Sequence, residues 1–139
     1  RYGNSFDKTI RTKTYPAIVK SLRAVHKKAP HARVAILTYP WILPKKTGCF
    51  PSMPVAKGDV PYLRNEQATL NSAVVRAAKK THSVAVNLNG VSNGHDACKK
   101  AGVRWIEPVI GGSNPVIVHP NPLGERRMAK QAEKVLHLH

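Results

Sequence analysis

The sequence predicts an α/β protein built on a parallel sheet with helices on both faces. Three observations carry that expectation. Two short runs rich in branched apolar residues, Ala32–Tyr39 and Ser83–Leu88, have the composition of buried strands. Helical periodicity flanks and separates them, over residues 14–29, 59–80 and 123–138. Strands separated by helices are joined by crossovers, which makes neighbouring strands parallel. Two strands are few for such a sheet, so further strands are expected to be weak in sequence or to lie elsewhere.

In the first helix Tyr15, Ile18, Leu22, Val25 and Ala29 fall on one face, with Lys and Arg opposite, and Pro30 ends it. The first strand is bounded by Pro40. Residues 41–60 carry Pro44, Gly48, Pro51, Pro54 and Gly58 with little periodicity. A loop of that length in a compact domain is either functional or pinned down. Asp59 suits an N-cap and Pro61 a first helical turn, and Leu63, Gln67, Leu70, Val74 and Ala77 then mark one face of a helix running to Lys80. After the second strand a long loop runs from Asn89 to about Pro120. The last helix, Leu123–Leu138, turns Met128, Ala132 and Val135 inward.

With 139 residues, residues 1–139 read as part or all of one domain. Apolar content of 42% is at the ordinary globular level, which excludes a disordered chain. No apolar run approaches the roughly 18 to 20 residues that span a bilayer. Arg1 is no natural start and nothing resembles a signal peptide, so the chain reads as mature or cut. Lys and Arg number 23 against 7 Asp and Glu, a formal charge of +16. Such a charge suits nucleic acid, but its distribution does not. The basic pairs Lys27-Lys28, Lys45-Lys46, Lys79-Lys80, Lys99-Lys100 and Arg126-Arg127 are scattered from end to end, and aromatics are too few for a stacking platform. A solvated basic surface fits better, one that also favours anionic lipid headgroups.

Cys49 and Cys98 are the only cysteines. Neither belongs to a C-x-x-C pair, and with His95 as the one nearby ligand a zinc site lacks donors, so no metal is expected. Both lie in Gly- and Pro-rich loops, which points to a disulfide and an oxidising, secreted setting. Gly90-Val91-Ser92-Asn93-Gly94 matches the G-x-S-x-G nucleophile elbow and follows a strand, yet no helix follows it. Of seven histidines, His26, His31 and His82 fall on helix faces or ends, and His137 and His139 are terminal. His119 sits in a loop immediately before the last helix, where a general base is commonly placed; a structural role stands beside that reading.

The string His119-Pro120-Asn121-Pro122-Leu123-Gly124, with Met128-Ala129, resembles the last block of the SGNH (GDSL-type) hydrolases. More narrowly, Thr38-Tyr39-Pro40-Trp41-Ile42-Leu43-Pro44, Cys49, Leu70-Asn71, Gly94-His95-Asp96-Ala97-Cys98 and Trp105-Ile106 resemble the secreted actinobacterial lipases and esterases of that family. The resemblance implies a flavodoxin-like sheet, hydrolysis of carboxylic (acyl) esters by a Ser nucleophile with a His base, no cofactor, and an extracellular location. His119 matches the base. Its usual acid partner, an Asp three positions earlier, is Val116 here, so a carbonyl of Val116 or Ile117 is expected to orient the ring. Trp41, Phe50 and Met53 are candidates for apolar surface along an acyl chain, or they simply pack their loop onto the body.

The departures are as informative. The family's Gly-Asp-Ser block, its oxyanion-hole Gly and its Gly-x-Asn-Asp block are missing, and Tyr2-Gly3-Asn4-Ser5 imitates the last one poorly. The chain therefore resembles the C-terminal part of such a domain, expected to be inactive alone and to partner an N-terminal segment of the same enzyme. The alternative is a non-catalytic basic domain that binds polyanions or anionic membranes. A salt titration separates the two, since electrostatic binding weakens steeply with ionic strength and ester hydrolysis does not.

Overall fold

The computed structural model describes residues 5–138, so Tyr2, Gly3 and Asn4 of the imitated block, and the terminal His139, lie outside it. The chain divides into two compact units. One holds the described residues up to Thr38 together with Ala68–Asn87; the other holds Tyr39–Gln67 and the residues from Leu88 onward.

The first unit opens with α1 (Ser5–Thr9), a π-helical turn (Ile10–Thr14) and α2 (Tyr15–Lys28). Helix thus begins about ten residues before the periodic signal. Pro16 explains the π turn: it offers no N–H to the preceding turn and its ring crowds the carbonyl four residues back. No residue of α1 or of the π turn is buried, so no apolar face announces them. In α2 the buried residues are Val19 and Leu22, whereas Val25 is exposed. They pack with Val34 and Ala77, and with the half-buried Tyr15, Ile18 and Ile36.

Strands β1 (Ala35–Leu37) and β2 (Val84–Val86) pair in parallel, with Ala35 opposite Val84 and Leu37 opposite Val86. Both are shorter than the apolar runs, for local reasons. The Ser83 amide donates to Ala78 O (2.9 Å) and so closes the end of α3 (Val60–Lys80). The Ser92 amide donates to Leu88 O (2.9 Å), so a turn has begun by Leu88. Pro40 has no amide to continue β1. The side chains of β1 are half-buried and Leu37 is exposed, so the full covering expected of a parallel sheet is not reached among the described residues.

The second unit contains the long loops, a 3-10 turn (Lys57–Asp59), the first turns of α3 and all of α4 (Pro122–Leu136). Asp59 closes the 3-10 turn that leads directly into α3. Along α3 the buried positions include Val60, Arg64, Asn71, Val74 and Ala78, while the expected face residue Leu63 is exposed. Val74 and Ala77 of the expected face are buried and Gln67 and Leu70 half-buried, but hydropathy leaves out two buried members, Arg64 and Asn71, because they are polar. Arg64 donates to Leu43 O and to Asn93 Oδ1 (3.3 Å), and its guanidinium lies 3.5 Å over the Trp41 ring. Burial pulls its pKa down, with nearby Asp96 opposing the shift.

Leu43, Met53, Val60, Ala97 and Ile106 form the core of this unit, with Cys49, Cys98, Val109 and Val118 packed against it. Cys49 and Cys98 are disulfide-bonded, with Cα atoms 5.4 Å apart. The 41–60 loop is pinned rather than free: Met53 N donates to Cys49 O (3.2 Å), Ala97 N to Ile42 O (3.0 Å) and Ile110 N to Ser52 O (3.0 Å). Helix α4 ends two residues before the expected Leu138. His137 turns left-handed (φ 51°), and the Leu138 amide reaches back to Glu133 O (3.0 Å) as a Schellman-type cap. All five basic pairs are exposed, as a solvated surface requires. Among the described residues no helix is long and apolar enough to cross a membrane.

Candidate active site

His119 is held in place by its backbone. Trp105–Glu107 and Val118–Asn121 form a short antiparallel pairing, bridged at Ile106 and Pro120. Glu107 N donates to His119 O (2.9 Å), Val118 N to Glu107 O (3.0 Å) and Asn121 N to Trp105 O (2.8 Å). Val118 has φ 56°, an unfavourable value for a β-branched residue, immediately before the histidine.

The ring itself is oriented. His119 Nδ1 lies 2.9 Å from Ile117 O. A carbonyl can only accept, so Nδ1 carries the hydrogen and, in the neutral ring, Nε2 carries the lone pair. The acceptor is Ile117 and not Val116, whose own amide donates to Asn114 Oδ1 (2.9 Å). The His119 side chain is exposed, which leaves Nε2 approachable.

The segment after His119 makes physical sense residue by residue. Asn121 is the N-cap of α4: its Oδ1 accepts from Gly124 N (2.9 Å), with Pro122 entering the first turn. Its Nδ2 donates to Arg104 O (2.9 Å) and to Glu107 Oε1 (3.0 Å). Gly124 is needed for close approach, since a Cβ there would lie 2.4 Å from the Trp105 carbonyl oxygen. This sets two effects of opposite sign against each other. Helix propensity alone makes Gly124→Ala stabilising by about 1 kcal/mol. The clash is with backbone, which cannot swing aside, and overpacking of that kind costs about 1–3 kcal/mol. Gly124→Ala is therefore expected to lower the urea midpoint at unchanged m-value; a raised midpoint would show that α4 slides freely on Trp105.

Glu107 is the residue that reading the sequence missed. It is fully buried, and all of its neighbours donate to it. Oε2 accepts from Arg104 Nη2 (3.0 Å) and Ser113 N (2.8 Å), and Oε1 from Ser113 Oγ (3.0 Å) and Asn121 Nδ2 (3.0 Å). Burial pushes its pKa up, but the Ser113 amide, Asn121, the Ser113 hydroxyl and Arg104 together outweigh it, so the carboxyl titrates below its ordinary 4.5. The available signal was a lone carboxylate inside the apolar run Trp105-Ile106-Glu107-Pro108.

The rival groups are already engaged. Ser92 is buried, donates its hydroxyl to Leu88 O (2.7 Å) and accepts from Trp41 N (3.1 Å). It is a turn-closing serine, not an exposed elbow. His95 donates from Nδ1 to Val103 O (2.6 Å) and stacks on Trp105 with ring centroids 4.7 Å apart. It lines a cavity of about 700 Å³ with Val91, Trp105, Leu123, Arg127 and Lys134, and His119 is not part of that cavity. Of the three apolar loop residues, Met53 is a core member and Trp41 is buried, its Nε1 donating to Asn89 O (2.8 Å). Burial takes both off any surface that an acyl chain could meet. Phe50 is 77% exposed.

Residues 3–127 match the model of the GDSL-like lipase/acylhydrolase family. The chain belongs to that family. It is 55% identical over 140 residues to Lipase 2 of Streptomyces coelicolor, an alignment covering 99% of this chain and 48% of that protein. Among solved structures it resembles phospholipase A1 from Streptomyces albidoflavus NA297, with a TM-score of 0.75 and 19% identity over 94% of this chain and 52% of the other. An extracellular lipase from Streptomyces rimosus gives a TM-score of 0.67 and 20% identity over 94% of this chain and 53% of the other. At those identities the likeness speaks for the fold. This family member spans about half the length of the relatives it matches.

Proposed function

We propose that this chain supplies the general base of a secreted serine ester hydrolase acting on acyl esters of the lipid class. The observation that carries the reading is the His119 ring, whose Nδ1–H is spent on Ile117 O and whose Nε2 is left as a base on an exposed side chain. In the proposed reaction Nε2 takes the proton of a serine hydroxyl as that oxygen attacks the ester carbonyl. It returns the proton to the departing alcohol, and then activates water to release the acyl group. A carbonyl in place of an aspartate fixes the tautomer but adds less stabilisation to the imidazolium. Phe50 is the exposed apolar group we assign to the acyl-chain wall.

The nucleophile is proposed to reside in an N-terminal segment of the same enzyme. The Gly-Asp-Ser block is not in this sequence, the family relatives are about twice as long, and Ser92 has no free hydroxyl. The Cys49–Cys98 disulfide supports an oxidising, extracellular setting. A fluorophosphonate ester probe, followed by peptide mapping of the complete enzyme, tests the assignment. Labelling is expected on a serine outside these 139 residues. Labelling at Ser92 would overturn it.

A further inference from the structure

We propose that Glu107 is a positioning residue for His119, doing through the loop what an aspartate in the Val116 position would do by contact; this rests on His119 being the base. Four observations converge. First, Glu107 grips the loop on both sides of the histidine. Its side chain holds Ser113 before it and Asn121 after it, and its backbone is bonded to Val118 and to His119 themselves. Second, the residue that presents the orienting carbonyl has no packing of its own, and its anchors lie in the neighbouring Val118 and in the loop ends that Glu107 holds. Val116 and Ile117 are each 50% exposed, so packing does not fix them. Third, Val118 sits at φ 56°, so local backbone preference opposes the observed path and an outside constraint must maintain it. Fourth, the grip depends on charge. Three of the four side-chain contacts of Glu107, from Arg104 Nη2, Ser113 N and Asn121 Nδ2, can only donate, and one of these is a cation, so the ionised carboxylate is the form that suits them together.

Glu107→Gln therefore keeps the shape and destroys the fit. Turned one way, its NH2 faces Arg104 Nη2 and Ser113 N; turned the other, it faces Asn121 Nδ2, with only the Ser113 hydroxyl able to rotate and accept. Freed of Ser113 or of Asn121, the loop no longer holds Ile117 O against Nδ1, and the imidazole loses its single tautomer.

The readout is the ring nitrogens of His119, observed by 15N NMR in the complete enzyme and identified by their absence in His119→Ala. In its neutral form the parent ring is expected to carry its hydrogen on Nδ1. Glu107→Gln is expected to move the population toward protonation at Nε2. In the complete enzyme it should lower kcat by about 10²-fold, as misplacement of about 1 Å does, with KM changed much less. If circular dichroism shows that Glu107→Gln does not fold, Ser113→Ala decides. Ser113 is exposed and its loss removes one donor of four, so a partial shift in the same direction is expected. A folded Glu107→Gln with the parent tautomer, or with a shifted tautomer but the parent kcat, overturns the proposal. So does a parent tautomer in Ser113→Ala where Glu107→Gln does not fold. A complete enzyme that stays active as His119→Ala refutes the base assignment instead, since the NMR shift reports positioning whatever the base is.

Discussion

His119→Ala in the complete enzyme is expected to lower turnover by about 10³-fold or more, with little change in melting temperature, the scale seen when a hydrolase loses its base. The size follows from the role. Without Nε2 the serine must surrender its proton to water, so the covalent step loses its acceptor and the leaving alcohol its donor. Stability is spared because the side chain is exposed and its one hydrogen bond, to Ile117 O, is local. Controls separate this from a general effect of altering histidines. His95→Ala removes a ring stacked on Trp105 and bonded to Val103 O, so it should cost stability before activity. Val116→Ala and Ile117→Ala keep their backbone carbonyls and should be nearly silent. Full activity in His119→Ala, together with its loss in His95→Ala or Ser92→Ala, would show that the base is misassigned.

The parts of this protein legible in its sequence are those where hydrophobicity and position coincide. The two strand runs, the three long helices and the loop histidine before Pro120 were all readable, because each rests on a repeating apolar pattern or on punctuation by Pro and Gly. The parts that were not readable share a different physics. The buried face of α3 was read only in part, at Val74 and Ala77, because Arg64 and Asn71 are polar by type and buried by partnership. Periodicity cannot register a guanidinium satisfied by Leu43 O and a Trp41 ring. Residues 5–14 were missed for the opposite reason, since a helix that buries nothing leaves no stripe. Trp41 and Met53 looked like substrate surface because large apolar residues in a loop suggest exposure. The disulfide and the amide bonds from Ala97, Met53 and Ile110 turn that loop into part of the core.

The site was half legible. His119 and its dependence on a carbonyl could be reasoned from the absent aspartate. The choice of Ile117 over Val116 depends on the left-handed turn at Val118, which no residue preference announces. Glu107 was invisible because its environment, four hydrogen bonds from Arg104, Ser113 and Asn121, is assembled only by the folded loop. A buried carboxylate costs free energy unless its partners are complete. That the proposed base, without an acid partner, is bonded through its backbone to a buried acid with complete partners is the structural basis for proposing that the acid places it.

Cys49→Ser with Cys98→Ser is expected to lower stability far more than any surface substitution in this chain. The cross-link joins residues separated by 49 positions. Confining a loop of roughly that length in the unfolded chain stabilises the native state by about 4 kcal/mol in the chain-entropy model, as an upper figure. For a domain of this size that corresponds to a melting temperature lower by roughly 10–15 °C. The loss should be felt near the site as well as globally. Both cysteines pack against the cluster of Leu43, Met53, Val60, Ala97 and Ile106, and Val118, next to His119, packs against the same cluster. Part of the anchoring survives reduction: Ala97 N still donates to Ile42 O (3.0 Å) and Cys98 N to Asp96 Oδ1 (3.1 Å). The measured value is therefore expected below the entropic limit but well above that of a surface substitution. Thermal melts of the double variant and of the reduced parent should agree, since both remove the same constraint. A fall of less than about 1 kcal/mol, no more than one typical point substitution, would mean that core packing and the loop amide bonds already hold residues 41–60.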